Sequence, residues 1–126
     1  MEPVAQPNKP GHRGIKRLGY ATLFSWRGFV AAWRNEAAFR QIISWLVFAI
    51  GIAIFMDLSL IQRLMLVGSV LLVLMAELLN SAVEAIVDKT SPELHPLAGR
   101  AKDMGSAAVL VAMTIAAMVW VGVFLG

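Results

Sequence analysis

Three long apolar runs leave this chain few options for its fold. The runs cover about residues 37–56, 62–87 and 104–125, and a helix of about 20 residues is enough to cross the hydrocarbon core of a bilayer. Apolar side chains make up 59% of the 126 residues and charged side chains only 15%, a balance that excludes an ordinary soluble domain. The sequence therefore predicts an all-α, polytopic membrane protein with three transmembrane helices.

The part of the chain before the first run divides in two. Residues 1–16 are polar and contain three prolines, which predicts a flexible N-terminal tail. Residues 17–35 are predicted to form an amphipathic helix at the membrane interface, because apolar residues recur there at helical spacing beside arginines. The apolar face of this helix consists of Trp26, Phe29, Val30 and Trp33. The remaining residues, 36–126, are predicted to form a three-span membrane domain.

The basic residues are unevenly distributed, and this asymmetry predicts the orientation of the chain. Seven of the eleven lie at or before residue 40, ahead of the uninterrupted apolar sequence that starts after Gln41, namely Lys9, Arg13, Lys16, Arg17, Arg27, Arg34 and Arg40. Only Arg63 lies between the first and second runs. The positive-inside rule therefore predicts a cytoplasmic N-terminus and, after three spans, a C-terminus outside. Beside so much apolar sequence, these charges indicate contact with lipid headgroups and no nucleic-acid partner.

The connection between the second and third spans is predicted to be a polar loop. It covers residues 89–100 and is interrupted by Pro92 and Pro96. Asp103 is predicted to cap the third span. The small residues at 105–108 that follow favour close packing against another helix.

The end of the second span carries a stripe of polar side chains. On a helix of about 100° per residue, one face about 80° wide collects Glu77, Asn80, Glu84 and Asp88. A carboxylate in hydrocarbon costs at least about 2.5 kcal/mol, so such a residue indicates a function. Three carboxylates on one face need a cation, a proton or a basic partner. In the predicted orientation the stripe ends at the cytoplasmic surface, where Glu36 and the basic segment 89–103 also lie.

These residues permit three functions, which their spacing alone does not separate. Carboxylates beside basic residues suit Mg²⁺ and phosphate, because phosphoryl transfer needs mainly positioning and charge neutralisation. Glu77, deepest in the span, could then be the general base, with Glu36 and Glu84 on the metal. The same stripe could relay protons or ions in a small transporter, or join helices in a structural membrane subunit. For Glu36, a surface ion pair with Arg40 at i, i+4 is a further interpretation.

Three segments of the sequence form a specific combination. They are Ala31–Gln41 (AAWRNEAAFRQ), Glu77–Asp88 (ELLNSAVEAIVD) and Gly99–Val109 (GRAKDMGSAAV). Together with their spacing, they resemble the bacterial integral-membrane diacylglycerol kinase family. The resemblance extends from about Arg17 to the C-terminus.

The resemblance implies an enzyme that transfers the γ-phosphate of ATP to the hydroxyl of diacylglycerol, giving phosphatidic acid, with Mg²⁺ required. It also implies a homotrimer in the bacterial inner membrane, with active sites shared between subunits. By position, Glu77 would be the catalytic base and Asn80 would support the site, while Glu36 and Glu84 would bind the magnesium associated with the nucleotide. A sister activity of the family, phosphorylation of undecaprenol, is the nearest alternative, because sequence physics does not distinguish the two alcohols.

The resemblance also assigns residues to two binding sites. The residues implied to contact ATP are Arg17, Phe24, Glu36, Glu84, Glu93, His95, Lys102 and Asp103. The residues implied to line the lipid site are Arg17, Ala21, Trp26, Val30, Trp33, Glu77 and Ser106. Phe24 stands where the family usually has a tyrosine, so a hydroxyl contact with the nucleotide is lost while ring stacking is kept. Asp88 receives no role.

Overall fold

The computed structural model describes residues 14–90 and 95–126, and every regular element in these two ranges is a helix. The helices are α1 (Ile15–Asn35), α2 (Ala37–Phe55), α3 (Leu60–Thr90) and α4 (Pro96–Leu125). By length and composition, α2, α3 and α4 are each able to cross a membrane. The predicted architecture, three spans preceded by an amphipathic helix, is therefore confirmed.

The amphipathic helix α1 begins directly after a glycine turn. Gly14 has a φ of 69°, a backbone angle that suits glycine because it has no Cβ atom. The helix starts at Ile15, two residues before the predicted boundary, and the rest of the predicted tail, residues 1–13, lies outside the described residues. Trp26 and Trp33 are both exposed, as the predicted contact of this apolar face with lipid requires.

The chain divides into two compact units, one ending at Ala31 and the other beginning at Ala32. Within the second unit, Glu36 separates α1 from α2, because its backbone is extended (φ −120°, ψ 108°). Arg40 Nη1 donates to the carbonyl of Trp33 at 2.7 Å, and in the described part of the chain no ion pair joins Arg40 to Glu36. The Glu36 side chain makes no capping bond to α2 either, which leaves its carboxylate available to a ligand.

The short connection between α2 and α3 is held by side-chain hydrogen bonds. Ser59 and Gln62 form a capping box, in which the Gln62 N–H donates to Ser59 Oγ at 3.2 Å and the Ser59 N–H donates to Gln62 Oε1 at 2.9 Å. Arg63 donates to the carbonyls of Leu58 at 2.9 Å and Met56 at 3.4 Å. These bonds satisfy backbone groups that have no partner within the helices.

The buried face of α3 carries the core of the second unit, because α3 packs against both α2 and α4. On this face Leu66 and Val73, two turns apart, are 0% and 2% exposed. From α2, Phe39 and Ala49 are also buried. Glu77 continues the same face by one more turn and is itself only 7% exposed. The first catalytic candidate therefore occupies a position where an apolar side chain would otherwise pack.

Helices α3 and α4 run antiparallel, as three contacts along their length show. These contacts pair Asp88 with Lys102, Asn80 with Gly105, and Ser69 with Trp120. Of the small residues at 105–108 that were predicted to pack closely, Gly105 is half-buried against α3, whereas the other three are exposed in the single chain. Of these four small residues, Gly105 is therefore the one that packs closely against α3 in the single chain.

Helix α4 begins earlier than predicted. Its first residue is Pro96, and His95 caps it by accepting the Leu97 N–H on Nδ1 at 3.1 Å. Proline favours the first position of a helix, because the N–H that it lacks would have no partner there. The prediction that Asp103 caps this span is therefore wrong, and residues 96–100 belong to the helix rather than to the loop.

Candidate active site

The polar stripe predicted on α3 becomes more exposed toward the C-terminal end of the helix. Glu77 is buried, Asn80 and Glu84 are half-buried, and Asp88 is exposed. Ser81, which the sequence reasoning did not select, lies one turn after Glu77 and is half-buried. The gradient separates one carboxylate that is shielded from solvent from others that a soluble ligand can reach.

Two side-chain contacts, each across one helical turn, orient the carboxylates of the stripe. Ser81 Oγ donates to Oε1 of Glu77 at 3.4 Å, and Asn80 Nδ2 donates to Oε1 of Glu84 at 3.4 Å. Both distances are long for hydrogen bonds. Because a carboxylate has about four acceptor positions, each still has capacity for a proton or a cation.

Glu36 comes from a distant part of the sequence but reaches the same region. The extended backbone at Glu36 places this residue at the start of α2, and its charge acts on Glu77 together with the charge of Glu84. The structure thus brings the carboxylates of Glu36 and Glu84 each within electrostatic range of Glu77. Because like charges at short range repel, this cluster favours the binding of a cation.

The carboxylate oxygens of Glu36 and Glu84 are the type of donor that would suit the predicted magnesium ion, arriving with a nucleotide. Across residues 14–90 and 95–126, no group of three or more His, Asp or Glu residues is arranged to hold a metal ion. Two carboxylates are nevertheless enough for Mg²⁺, because this ion usually keeps water and completes its octahedron with substrate phosphates. Glu36 and Glu84 supply these two carboxylates. They are also the residues that the resemblance assigned to the metal.

Asp88, which received no role from the sequence, forms an ion pair with Lys102. The Nζ atom of Lys102 lies 2.8 Å from Oδ1 of Asp88, and both side chains are well exposed. Lys102 also lies within electrostatic range of Glu84. A residue predicted to contact ATP therefore lies within electrostatic range of a predicted metal ligand, and its ion-pair partner in the single chain is Asp88.

Of the other ATP candidates from this part of the sequence, His95 caps α4 and Asp103 lies within that helix. Glu93 lies outside the described residues. His95 uses Nδ1 to cap α4, which leaves Nε2 for a ligand. Asp103 lines an open cleft of about 580 Å³ together with Arg100. Arg100 was not among the predicted site residues, but its permanent charge suits a cleft that would receive phosphates.

The substrate-binding candidates on α1 present accessible side chains. Phe24 stacks with Tyr20 at a ring-centroid distance of 6.3 Å, and the Arg27 guanidinium lies 5.9 Å from the centre of the Phe24 ring. Arg27, another residue that the sequence reasoning did not select, thus forms a cation–π contact. The remaining candidates are exposed or half-buried, and they are Arg17, Ala21, Trp26, Val30 and Trp33. Ser106 on α4 is also exposed.

Known proteins that are similar to this chain cover most of its length. The prokaryotic diacylglycerol kinase family matches residues 23–124. The chain belongs to this family. A diacylglycerol kinase of Escherichia coli K12 is 50% identical over 107 residues, which are 85% of this chain and 88% of the relative. A diacylglycerol kinase of Pseudomonas aeruginosa is 48% identical over 116 residues (92% and 94%), and one of Haemophilus influenzae is 42% identical over 110 residues (87% and 93%).

Membership in the prokaryotic diacylglycerol kinase family confirms the resemblance that the three segments carried. All three segments lie inside the matched range, residues 23–124. Together with three helices able to cross a membrane, the match makes this chain a multi-pass membrane protein of a lipid kinase family. The roles of individual side chains stay predictions, because the match covers the chain as a whole.

Helical spacing would have indicated two of the residues that the sequence did not single out, but not the third. Ser81 follows Glu77 by one turn, so helical spacing alone places it beside that carboxylate. Arg27 is likewise three residues from Phe24, a spacing that brings side chains together on a helix. Gly105 gives no such signal, since only the packing of α4 on α3 brings it against Asn80.

Proposed function

We propose that this chain is a diacylglycerol kinase that transfers the γ-phosphate of ATP to the hydroxyl of diacylglycerol, giving phosphatidic acid and ADP. The observation that carries the proposal is the buried carboxylate of Glu77, within electrostatic range of Glu36 and Glu84. A carboxylate placed inside a membrane span is costly, so it indicates a function at that depth. The relatives named diacylglycerol kinase, 42–50% identical, support the choice of substrate.

In the proposed reaction Glu77 is the general base. It accepts the proton of the lipid hydroxyl while the hydroxyl oxygen forms a bond to the γ-phosphorus, and the bond from that phosphorus to the β–γ bridging oxygen breaks to release ADP. The hydrogen bond from Ser81 Oγ helps to hold the carboxylate in place. Because Glu77 is only 7% exposed, water has poor access to the base, which favours transfer to the lipid over hydrolysis of ATP.

The nucleotide would bind at the more exposed end of the stripe. Glu36 and Glu84 would hold Mg²⁺, which neutralises phosphate charge when it is bound. Asn80 would orient Glu84 through the contact from Nδ2. Lys102 would supply a cation to the phosphates, since it lies within electrostatic range of Glu84.

We further infer a homotrimer in the bacterial inner membrane, with the N-terminus in the cytoplasm and the C-terminus outside. The surface of α4 supports self-association, because the small side chains of Ser106, Ala107 and Ala108 are exposed in the single chain and small residues allow membrane helices to pack closely. The basic residues before α2 support the orientation. Light scattering corrected for detergent that gave a mass other than three protomers would contradict the trimer. A reporter fused to the N-terminus that proved active only outside would contradict the orientation.

The decisive experiment compares lipid phosphorylation by the wild type and by Glu77→Gln in mixed micelles with labelled ATP and Mg²⁺. The amide keeps the size of the side chain and can still accept the bond from Ser81, but it cannot act as a base. We expect kcat to fall by about 10²–10⁴-fold, the usual contribution of a general base. Far-ultraviolet circular dichroism and the protomer number should stay unchanged.

A matched control and a second alcohol make the result specific. Asp57→Asn removes a carboxylate from the connection between α2 and α3, at the opposite end of α3 from Asp88, and should leave kcat unchanged. Transfer to undecaprenol but not to diacylglycerol would replace the proposed substrate with the sister activity. Transfer to neither alcohol would refute the kinase and favour an ion pathway or a structural subunit.

A further inference from the structure

Gly105 lies where α4 crosses α3, directly beside Asn80. A Cβ atom added at Gly105 would overlap Oδ1 of the Asn80 side chain. At the other glycines inside the helices an added Cβ would meet no atom within 4 Å, and these are Gly19, Gly28, Gly51, Gly68, Gly99 and Gly122. Among the helical glycines in residues 14–90 and 95–126, Gly105 is therefore the one at which a side chain of a neighbouring helix occupies the place of a Cβ atom.

The Asn80 amide is held between Gly105 and Glu84. Its Nδ2 atom donates to Oε1 of Glu84 at 3.4 Å, whereas its Oδ1 atom is buried without a hydrogen-bond partner in the described part of the chain. A buried amide oxygen without a partner is uncommon. Here the oxygen fills the space that the glycine leaves open and faces the Cα–H of that glycine, a weak donor. The packing thus decides which way the amide points.

We propose that Gly105 is a positioning residue for the kinase reaction. The space that it leaves holds the Asn80 amide so that Nδ2 orients the Glu84 carboxylate toward the magnesium of the nucleotide. This inference rests on the proposed function, because it takes Glu84 as a magnesium ligand. Groups that orient a metal ligand through a hydrogen bond typically change metal affinity or activity by about 10–100-fold when they are lost. Because the bond to Glu84 is long, we expect the lower end of that range.

An alanine at position 105 would displace a side chain and not the backbone. The added Cβ would lie 3.6 Å from the Cα of Asn80, an ordinary van der Waals distance, so the two helices need not separate. The amide oxygen, in contrast, must rotate away from α4. When it does so, Nδ2 leaves Glu84, and the carboxylate loses the contact that orients it.

The test is Gly105→Ala, measured both with and without turnover. The Mg²⁺ concentration for half-maximal lipid phosphorylation should rise about 10-fold, while the apparent affinity for diacylglycerol stays unchanged. Binding of Mn²⁺ in the presence of a non-hydrolysable ATP analogue, followed by electron paramagnetic resonance, should weaken by the same factor. Gly122→Ala, on the same helix but without a neighbour within 4 Å, is the matched control and should change neither value.

A double variant separates positioning from helix packing. In an Asn80→Ala background there is no amide to displace, so adding Gly105→Ala should not weaken Mn²⁺ binding further. The proposal is overturned if the double variant binds Mn²⁺ more weakly than Asn80→Ala alone, or if Gly105→Ala binds as tightly as the wild type. If Gly105→Ala alone does not fold, the comparison of the double variant with Asn80→Ala still tests the first of these outcomes. A wild type that binds Mn²⁺ with the analogue but phosphorylates no lipid would refute the proposed function without affecting this comparison.

Discussion

The hydrogen bond between Trp120 and Ser69 joins α3 and α4 in the apolar part of the structure, and its contribution to stability can be predicted. Trp120 Nε1 donates to Ser69 Oγ at 3.1 Å, and Ser69 itself donates to the carbonyl of Leu66 at 2.8 Å. Polar bonds between transmembrane helices contribute about 0.6 kcal/mol on average and about 1.7 kcal/mol at most. Ser69 is buried, so the bond is shielded from water, and we expect a value within this range.

The measurement is a double-mutant cycle with Ser69→Ala and Trp120→Phe. Each single variant also changes packing, since the Trp120 ring stacks on Phe48 at 6.4 Å and lines an apolar cavity of about 290 Å³. The cycle removes these packing effects and isolates the bond. We expect a coupling free energy of about 0.6–1.7 kcal/mol, which is about a 3-fold to 18-fold change in the unfolding equilibrium.

The assay follows unfolding in mixed micelles by circular dichroism as the fraction of sodium dodecyl sulfate is increased. Ser44→Ala is the matched control, because Ser44 is exposed and its Oγ donates at 3.2 Å to the carbonyl of Arg40 within the same helix. The change in the free energy of unfolding should stay within about 0.5 kcal/mol. A coupling energy inside the roughly 0.3–0.5 kcal/mol scatter of independent sites would refute the reasoning. Because Ser69 lies about 12 Å along α3 from Glu77, kcat should change little in either variant.

Two further predictions concern the exposed end of the site. Asp88→Asn should lower the KM for ATP a few-fold without changing kcat, because Lys102 loses the carboxylate 2.8 Å away that competes with phosphate. Initial rates measured across ATP concentrations check this prediction. A raised KM would instead show that Asp88 positions Lys102. Glu36→Gln and Glu84→Gln should each raise the Mg²⁺ concentration for half-maximal activity by at least about 10-fold, as expected for loss of a metal ligand or its support. Titrations in which only the apparent lipid affinity changed would contradict the metal assignment.

The helical fold could be predicted because a bilayer allows few alternatives. An apolar run that crosses hydrocarbon must pair its own backbone groups, so the three runs had to become α2, α3 and α4. The stripe on α3 was predictable for a similar reason, since helical spacing alone places Glu77, Asn80 and Glu84 on one face. Both inferences use only the geometry of a single helix.

Features that depend on helix ends or on packing were harder to predict. Pro96 was taken as an interruption of a loop, whereas it starts α4, since proline both ends helices and favours their first position. Ser59 and Gln62 have the spacing of a capping box, so the start of α3 could have been read from the sequence. The contact of Gly105 with Asn80 could not, because it depends on how α4 is aligned with α3.

One face of α3 packs in the core in its middle part and is accessible to soluble ligands toward its C-terminal end, and Glu77 lies between these two parts. Val73, one turn before it, is 2% exposed and packs in the core. Glu84, two turns after it, is half-buried and within reach of soluble ligands. A carboxylate deeper than Glu77 would disrupt the packing of α3 and would still cost at least about 2.5 kcal/mol in hydrocarbon. A shallower one would meet water before it met a lipid hydroxyl. The depth of Glu77 therefore suits its proposed role as the base, since a phosphoryl donor arriving from water and an acceptor held by the membrane could meet there.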